Sequence, residues 1–519
     1  LALLLEEEIN IKTFAEFNEL SKQYNMIPIK EEIIADTRTP VSLYQQLAEE
    51  NDYSYLLESA SSGKRVNVGR YSFIGLRPEK IIKKRKEKII IADSRDNIIE
   101  EVQSKSLIEY LNEFLNKYDV YQMDDLPPFS GGLVGYFGYE MVAEWENLFH
   151  RAKDRSLMKS SVPSALLVVS RLVAAYDHLT KKVKIIDNIF LEPNLNDTEK
   201  NELFQNSKKR IKKIVNQIST PRQNNYFFSQ VRKTRTEQLC SNTQKDEFEN
   251  MVREAKNYIK QGEVFQVVLS QKFSVPTDQL PFSVYRALRV SNPSPYMFYL
   301  NYPEIKLIGS SPEILVQVKE DRVITRPLAG TRRRGDNNQE DKILEDELKN
   351  DEKEKAEHLM LVDLGRNDLG KVCKYGTVQV QELMGIEYYS RVMHLVSQVE
   401  GQKKDDFTSL DVLKAVFPAG TVSGAPKIRA MELIDNLEKE SRGVYAGAVG
   451  YVDFRGNLDT CITIRSFEYR KGILSTQVGA GMVADSTPER EYQETLNKAR
   501  ALFEALEITR KEAPYGLNN

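Results

Sequence analysis

Two segments each carry a pair of glutamates three residues apart: Glu354 and Glu357 in NDEKEKAEHLMLVDLG, and Glu491 and Glu494 in TPEREYQETLNKA. On a helix, residues three apart share a face. Carboxylates so placed could hold one Mg²⁺, a hard cation that keeps several waters and takes one or two carboxylates plus an anionic ligand. For either pair alone the plain alternative is a solvated helix face. The stretch CITIRS, residues 461 to 466, adds a possible anion grip. Strand alternation puts Ile462 and Ile464 on one side and Cys461, Thr463 and Arg465 on the other. A guanidinium among small polar side chains suits a carboxylate, which it binds with two parallel hydrogen bonds. A solvent-facing edge arginine is the bland alternative. The returning strand ends in Gly479-Ala480-Gly481, where bare backbone amides can meet an anion.

Four further stretches carry candidate groups. In ITRPLAGTRRRG, Gly330 permits close backbone approach, Thr331 offers a hydroxyl, and three arginines suggest an anion nearby, yet Ala329 carries only a methyl group. FPAGTVSGAPK, residues 417 to 427 with Thr421 at its centre, precedes a helix and looks like a phosphate cradle. It lacks the G-K-[ST] ending of a P-loop, which excludes nucleotide binding and leaves a plain loop as the alternative. His394 lies in the apolar run VMHLVSQVEG, as a proton carrier or as a satisfied core histidine. Glu313, in GSSPEIL, follows a turn signal and leads into a strand; its bland reading is a loop-end carboxylate.

The elements that must position these groups are legible in outline. Asp351, three residues before Glu354, resembles the start of a capping box, and Thr487-Pro488 is a good cap followed by a good first helical residue. Residues 38 to 95 alternate short apolar runs with turns, and 104 to 117 read as an amphipathic helix. PPFSGGLVGYFGYE, ALLVVSRLVAAYD and KVKIIDNIF read as strands. The spacing predicts an N-terminal α+β region over 1–190, a polar connecting segment over 191–242 with a helix near 197 to 218, and a second unit over 243–519. In that unit KDEFENMVREAKNYIKQGE is a helix ending at glycine, and Arg470-Lys471-Gly472 sits near a hairpin turn.

The chain has 519 residues, a net charge of −3 and 29% charged residues, so composition makes no case for nucleic-acid or membrane affinity. Mean hydropathy is −0.47. Three cysteines, Cys240, Cys373 and Cys461, cannot build a disulfide framework, and a reducing cytoplasm is the expected setting. Four histidines (His150, His178, His358, His394) form no H-x-x-x-H pair, which disfavours a histidine zinc site. The opening LALLLEEEIN has no basic leader or cleavage site and reads as a helix start, not a signal peptide.

Taken in order, LLES, NPSPYMFYL, IGSSPE, RPLAGTRRRG, AEHLMLVDLGRND, VMHLVS, GTVSGAPK, DTCITIRS, GAGMVADS and ETLNKA resemble the chorismate-utilising enzymes, and within them the large subunits (component I) of anthranilate synthases. The resemblance runs from residue 56 to the last helix. It implies an α+β fold with large, mostly antiparallel sheets in a sandwich-like core and helices outside. It implies that Glu357 and Glu494 ligate Mg²⁺, supported by Glu354 and Glu491. Arg465, Tyr445, Lys498 and the Gly479-Ala480-Gly481 amides would hold the enolpyruvyl carboxylate of chorismate, with Gly330 and Thr331 touching the substrate. Glu313 would be the general acid for the departing hydroxyl, His394 would assist pyruvate elimination, and Thr421 would shape the site. Ser59, Pro295, Tyr296 and Met297 would form a tryptophan effector site.

The resemblance also explains Ala329. Relatives that make aminodeoxychorismate carry a lysine there; with alanine, ammonia itself must attack. Relatives that add water carry a lysine base where this chain has Gln266, and glutamine is no base near neutral pH. Anthranilate is therefore the expected product. None of the three cysteines has adjacent glycines, which implies ammonia from a separate glutaminase subunit (component II). Two alternatives stay open: an aminodeoxychorismate synthase component I, and a non-catalytic amino-acid sensor that kept the tryptophan pocket.

Overall fold

The computed structural model describes residues 11–48, 53–59, 69–103, 106–146, 162–220, 239–389 and 392–509. LALLLEEEIN, His150 and residues 221–238 of the connecting segment lie outside them. Among the described residues the chain forms two 12-stranded sheets and twelve α-helices. Every strand pair in the two sheets is antiparallel; both sheets therefore fit the expected fold class.

Neither sheet belongs to one half of the chain. In the first sheet, Ser54–Glu58 pairs with Tyr296–Tyr302, joining the N-terminal strands to Ile305–Ser311, Ser466–Arg470, Ile473–Met482 and Gln266–Pro276. In the second, Gly132–Phe137 pairs with Ala448–Asp453, joining Ala165–Ser170 and its neighbours to Leu458–Ile462, Ile314–Lys319 and Val392–Gln402. The facing sheets enclose an aromatic-rich layer that includes Tyr55, Phe73, Tyr136, Phe298 and Tyr302. Helices cover both outer faces, burying Phe17, Phe204, Tyr285 and Phe503 on the first sheet and Leu111, Val362 and Leu413 on the second. The arrangement is thus helices, sheet, sheet, helices, as one apolar face per element requires.

Two local features matter for the site. The helix Asp197–Ser219, which begins at an Asn196 capping box within the polar connecting segment, buries Phe204, Ile211, Ile214 and Ile218, so it is part of the core. The run CITIRSFEYR is not one strand. The chain leaves the second sheet at Ile462, bends over Thr463 to Arg465, and enters the first sheet at Ser466. Simple alternation therefore does not orient Arg465; its φ of 49° turns it at a crossing between sheets. The hairpin that follows is as expected: Arg470 pairs with Ile473 around Lys471 and Gly472, both at positive φ.

Candidate functional site

The helix Glu352–Val372 starts where Asp351 accepts hydrogen bonds from the amides of Lys353 and Glu354. The Glu354 carboxylate does not return to the cap. It meets Arg332 at 3.1 Å, while Arg332 also holds Asp351 at 2.7 Å. One turn on, Glu357 accepts a 2.9 Å hydrogen bond from the Gln266 side chain. Burial raises the Glu357 pKa, and the charges of Glu354 and Glu494 raise it further. Burial likewise raises Glu491, again with Glu494 adding to it. The two E-x-x-E helices thus face each other closely enough for their carboxylates to repel. Lys498 stands beside them, 2.7 Å from Glu494 and 2.9 Å from the Gly479 carbonyl. Among the described residues no three acidic, histidine or cysteine side chains form a ready-made metal cage. The physical reason is that Glu354 and Glu494 are turned onto Arg332 and Lys498. The donor set is nonetheless hard oxygen with mutual repulsion that a cation would relieve, which fits Mg²⁺.

Opposite this acidic face lies a pocket of buried titratable groups. Arg465 is partly exposed and makes no side-chain hydrogen bond or ion pair with a described residue. Burial lowers its pKa, and only the fields of Tyr389 and Glu313 oppose that shift. Glu313, 6% exposed, lies in the short link between Ile305–Ser311 and Ile314–Lys319. Burial pushes its carboxyl up to about 8, with Thr421 and Arg465 near enough to hold it lower than burial alone would. It therefore keeps its proton at neutral pH. The Thr421 hydroxyl, on the turn Gly420–Val422, is buried without a formed hydrogen bond.

His394 sits 3% exposed on Val392–Gln402, with burial lowering its pKa to about 4. Its Nδ1 lies 3.0 Å from the Gly330 carbonyl oxygen. A carbonyl can only accept, so Nδ1 carries the hydrogen and Nε2 keeps a lone pair. Nε2 is buried and unpartnered. The Gly330 carbonyl reaches His394 because the register slips between Ala329 and Thr331, and Gly330 takes up the slack at φ 64°. A Cβ there would lie 3.1 Å from Glu354 Oε2, so glycine also brings backbone against the acidic helix.

Gly479, Ala480 and Gly481 lie within Ile473–Met482, opposite Ser270, Leu269 and Val268. The Val268 and Ser270 amides donate to the Ser423 carbonyl and the Glu438 carboxylate, away from this pairing. Gly479 and Gly481 therefore occupy non-hydrogen-bonded positions, and their N–H groups point to the other edge. Ser466–Arg470 covers that edge only as far as Ser475, so both amides are free to meet an anion. A Cβ at Gly479 would stand 2.7 Å from the Tyr445 hydroxyl, which places Tyr445 over the same amides.

A second, roomier cavity lies elsewhere. It occupies about 1570 Å³, and Ser59, Pro295, Tyr296 and Met297 all line it, with Asp459 and Cys461. The Ser59 hydroxyl is buried and unpartnered, and Tyr296 donates to Asp459 at 2.9 Å. Strand pairing links it to the titratable pocket: Tyr296 is opposite Ser311, two residues from Glu313, and the Ser310 amide donates to the Arg465 carbonyl.

The FPAGTVSGAPK loop is no phosphate cradle. Its Lys427 is buried in a 2.6 Å ion pair with Asp368 and a 2.8 Å bond to the Val416 carbonyl. Sequence reasoning missed Arg332, which holds Glu354, and Tyr389, whose ring lies 5.4 Å from that of His394. The arginine run in RPLAGTRRRG was a signal for the first; the second left none.

Comparison with known proteins places the geometry in context. Residues 44–504 match the family model described as chorismate binding enzyme. The chain is 45% identical over 495 residues to anthranilate synthase component 1 of Aquifex aeolicus, covering 95% of this chain and 97% of that one. It is 42% identical over 489 residues to the protein of the same name from Neisseria gonorrhoeae, covering 94% and 96%. Among solved structures, anthranilate synthase component I from Streptococcus pneumoniae superposes with a TM-score of 0.72 at 34% identity, covering 91% of this chain and 99% of that one. The menaquinone-specific isochorismate synthase MenF of Escherichia coli shares the fold at 17% identity, TM-score 0.67, covering 95% and 98%.

Proposed function

The chain belongs to the chorismate binding enzyme family, and on that footing we propose that it acts as component 1 of an anthranilate synthase, aminating chorismate at C2 with ammonia and then eliminating pyruvate. The observation that carries this reading is the pairing of an unsatisfied Arg465 guanidinium with a Glu313 carboxyl that keeps its proton to about pH 8. The first suits a carboxylate, the second a departing hydroxyl.

In this reading Arg465, the Gly479 and Gly481 amides and the Tyr445 hydroxyl hold the enolpyruvyl carboxylate. Glu357 and Glu494 would hold Mg²⁺, with Glu354 and Glu491 behind them; when bound it would supply Lewis-acid neutralisation of the ring carboxylate. Gly330 and Thr331 border the ring. Ammonia attacks C2, its lone pair forming the new C–N bond, while both ring double bonds shift toward C4 and the C4 hydroxyl leaves with the Glu313 proton as water. The attacking nitrogen releases a proton, and aminodeoxyisochorismate results. The Nε2 lone pair of His394 then accepts the C2 proton as the enolpyruvyl C–O bond breaks. Pyruvate leaves and the ring becomes aromatic. Ala329 supplies no amine and Gln266 no base, so neither a lysine adduct nor water addition competes.

Ammonia comes from a separate glutaminase component. Tryptophan occupies the cleft at Ser59, Pro295, Tyr296 and Met297, where the strand contacts to Ser310 and Ser311 can pass a shift to Glu313 and Arg465. The test is turnover of chorismate with Mg²⁺ and ammonium chloride, followed by anthranilate fluorescence and chromatography. Anthranilate from ammonium salts, and from glutamine only when the glutaminase component is added, is the expected result. An aminodeoxychorismate product, or tryptophan binding without turnover, would overturn it.

A further inference from the structure

We propose that Arg442 is a positioning residue for the substrate-carboxylate grip, a role that rests on the chorismate reading above. Arg442 is 2% exposed, and its guanidinium is used on every side. Nη1 donates to the Val422 carbonyl at 2.6 Å, next to Thr421. Nη2 donates to the Val268 carbonyl at 2.8 Å and to Glu438 Oε1 at 2.6 Å, and Nε reaches Glu438 Oε2 at 2.9 Å. One face lies against the Tyr139 ring, 4.8 Å from its centre, and Tyr445 is 5.5 Å away.

Those partners are the supports of the grip. Val268 is opposite Gly481, and Ser270 is opposite Gly479. Glu438 accepts from both the Ser270 amide and the Ser270 hydroxyl at 2.8 Å. The short pairing strand Gly424–Ala425 covers Gln266–Pro276 only at Gln266 and Val267. Beyond it, the Arg442–Glu438 pair stands in for a neighbouring strand, taking the outward carbonyl of Val268 and the outward amide of Ser270. This fixes the strand against which Gly479 and Gly481 pair, and so their register. The same guanidinium holds the Thr421 turn through Val422 and sets the plane of Tyr445, whose hydroxyl lies over Gly479. Glu140 adds a second brace by accepting from the Gly443 amide at 3.0 Å. A planar, five-donor cation can make these contacts at once; an ammonium on a flexible stem cannot.

The test compares wild type with Arg442→Lys in the full chain, assayed with chorismate, Mg²⁺ and ammonium chloride. Arg442→Lys keeps the charge beside Glu438 but loses the fork and the flat face. The KM for chorismate is expected to rise at least tenfold, with kcat and its pH profile within about twofold of wild type. A second arm repeats the change in a Tyr445→Leu background, where the further rise in KM should fall below threefold because the grip is already loosened. An unchanged KM would overturn the role. So would kcat falling while KM holds, as loss of folded protein gives, or a full tenfold rise persisting without Tyr445. Absence of anthranilate from wild type would instead sink the chorismate reading, and this role with it.

Discussion

Two arginines 23 positions apart, Arg442 buried and Arg465 partly exposed, live under opposite conditions. Arg442 has a carboxylate, two backbone carbonyls and two aromatic rings around it. Arg465 has no hydrogen-bonding or ion-pair partner for its side chain among the described residues, and meets only the fields of Glu313 and Tyr389. Burial alone therefore does not mark the functional arginine. A buried charge without a partner is costly, and a fold keeps one where a ligand completes it. His358 and His394 each have one bonded ring nitrogen and one bare one: His358 Nε2 is 2.6 Å from Ser397 Oγ with Nδ1 unpartnered, and His394 Nδ1 meets the Gly330 carbonyl with Nε2 unpartnered.

The sharpest way to break this comparison is to remove each guanidinium and read activity and stability together. Arg465→Met should lower kcat/KM by about 10⁴, or ~5 kcal/mol of transition-state stabilisation, if the substrate carboxylate is its partner. Its Tm should stay equal or rise, because an uncompensated charge has gone. A fall of several degrees with near-normal kcat/KM would make Arg465 structural. Arg442→Met should weigh chiefly on stability, leaving Glu438 buried without its cation and costing ~4 kcal/mol, read as a lower denaturation midpoint, with its loss of kcat/KM carried by KM.

Glu313→Gln comes next, with kcat reduced by about 10²-fold. Because the folded pKa is raised to about 8, the acid form dominates below that value and is lost as pH rises through it. Wild-type kcat should therefore fall on the alkaline side near 8, and the glutamine variant should lack that limb. An alkaline limb that persists in the variant would assign it to another group. The smallest effect belongs to the Ser397 contact of His358. Ser397→Ala removes the partner of His358 and of the Met384 amide, and should cost ~1–2 kcal/mol of stability with kcat changed less than threefold. A larger loss of kcat would show that His358 reaches the chemistry through Glu357, its neighbour on the helix.

Much of the acidic face was legible in the sequence, because helical spacing and caps are local. Glu354 and Glu357 after Asp351, and Glu491 and Glu494 after Thr487-Pro488, needed only a period of 3.6. The hairpin at Lys471-Gly472 was legible for the same reason. Arg465 was picked out as a candidate anion ligand, but alternation gave the wrong account of its direction, since the strand ends three residues before it. Arg442 left no signal, because its partners include two carbonyls, and any residue type has one. The helix Asp197–Ser219 was recognised but its role was not: apolar residues spaced through a polar run look like a connector until a sheet is found beneath them.

The stitching of both sheets from distant parts of the chain bears on how the protein is made. Gly132–Phe137 and Ser54–Glu58 leave the ribosome long before their partners Ala448–Asp453 and Tyr296–Tyr302 exist. At ordinary synthesis speeds the first of these waits on the order of tens of seconds with a bare, fully apolar edge. A nascent chain stalled midway would carry two sticky margins, so chaperone protection during translation becomes a requirement of this topology, and a ribosome-bound fragment ending near residue 290 should be more prone to self-association than the finished enzyme.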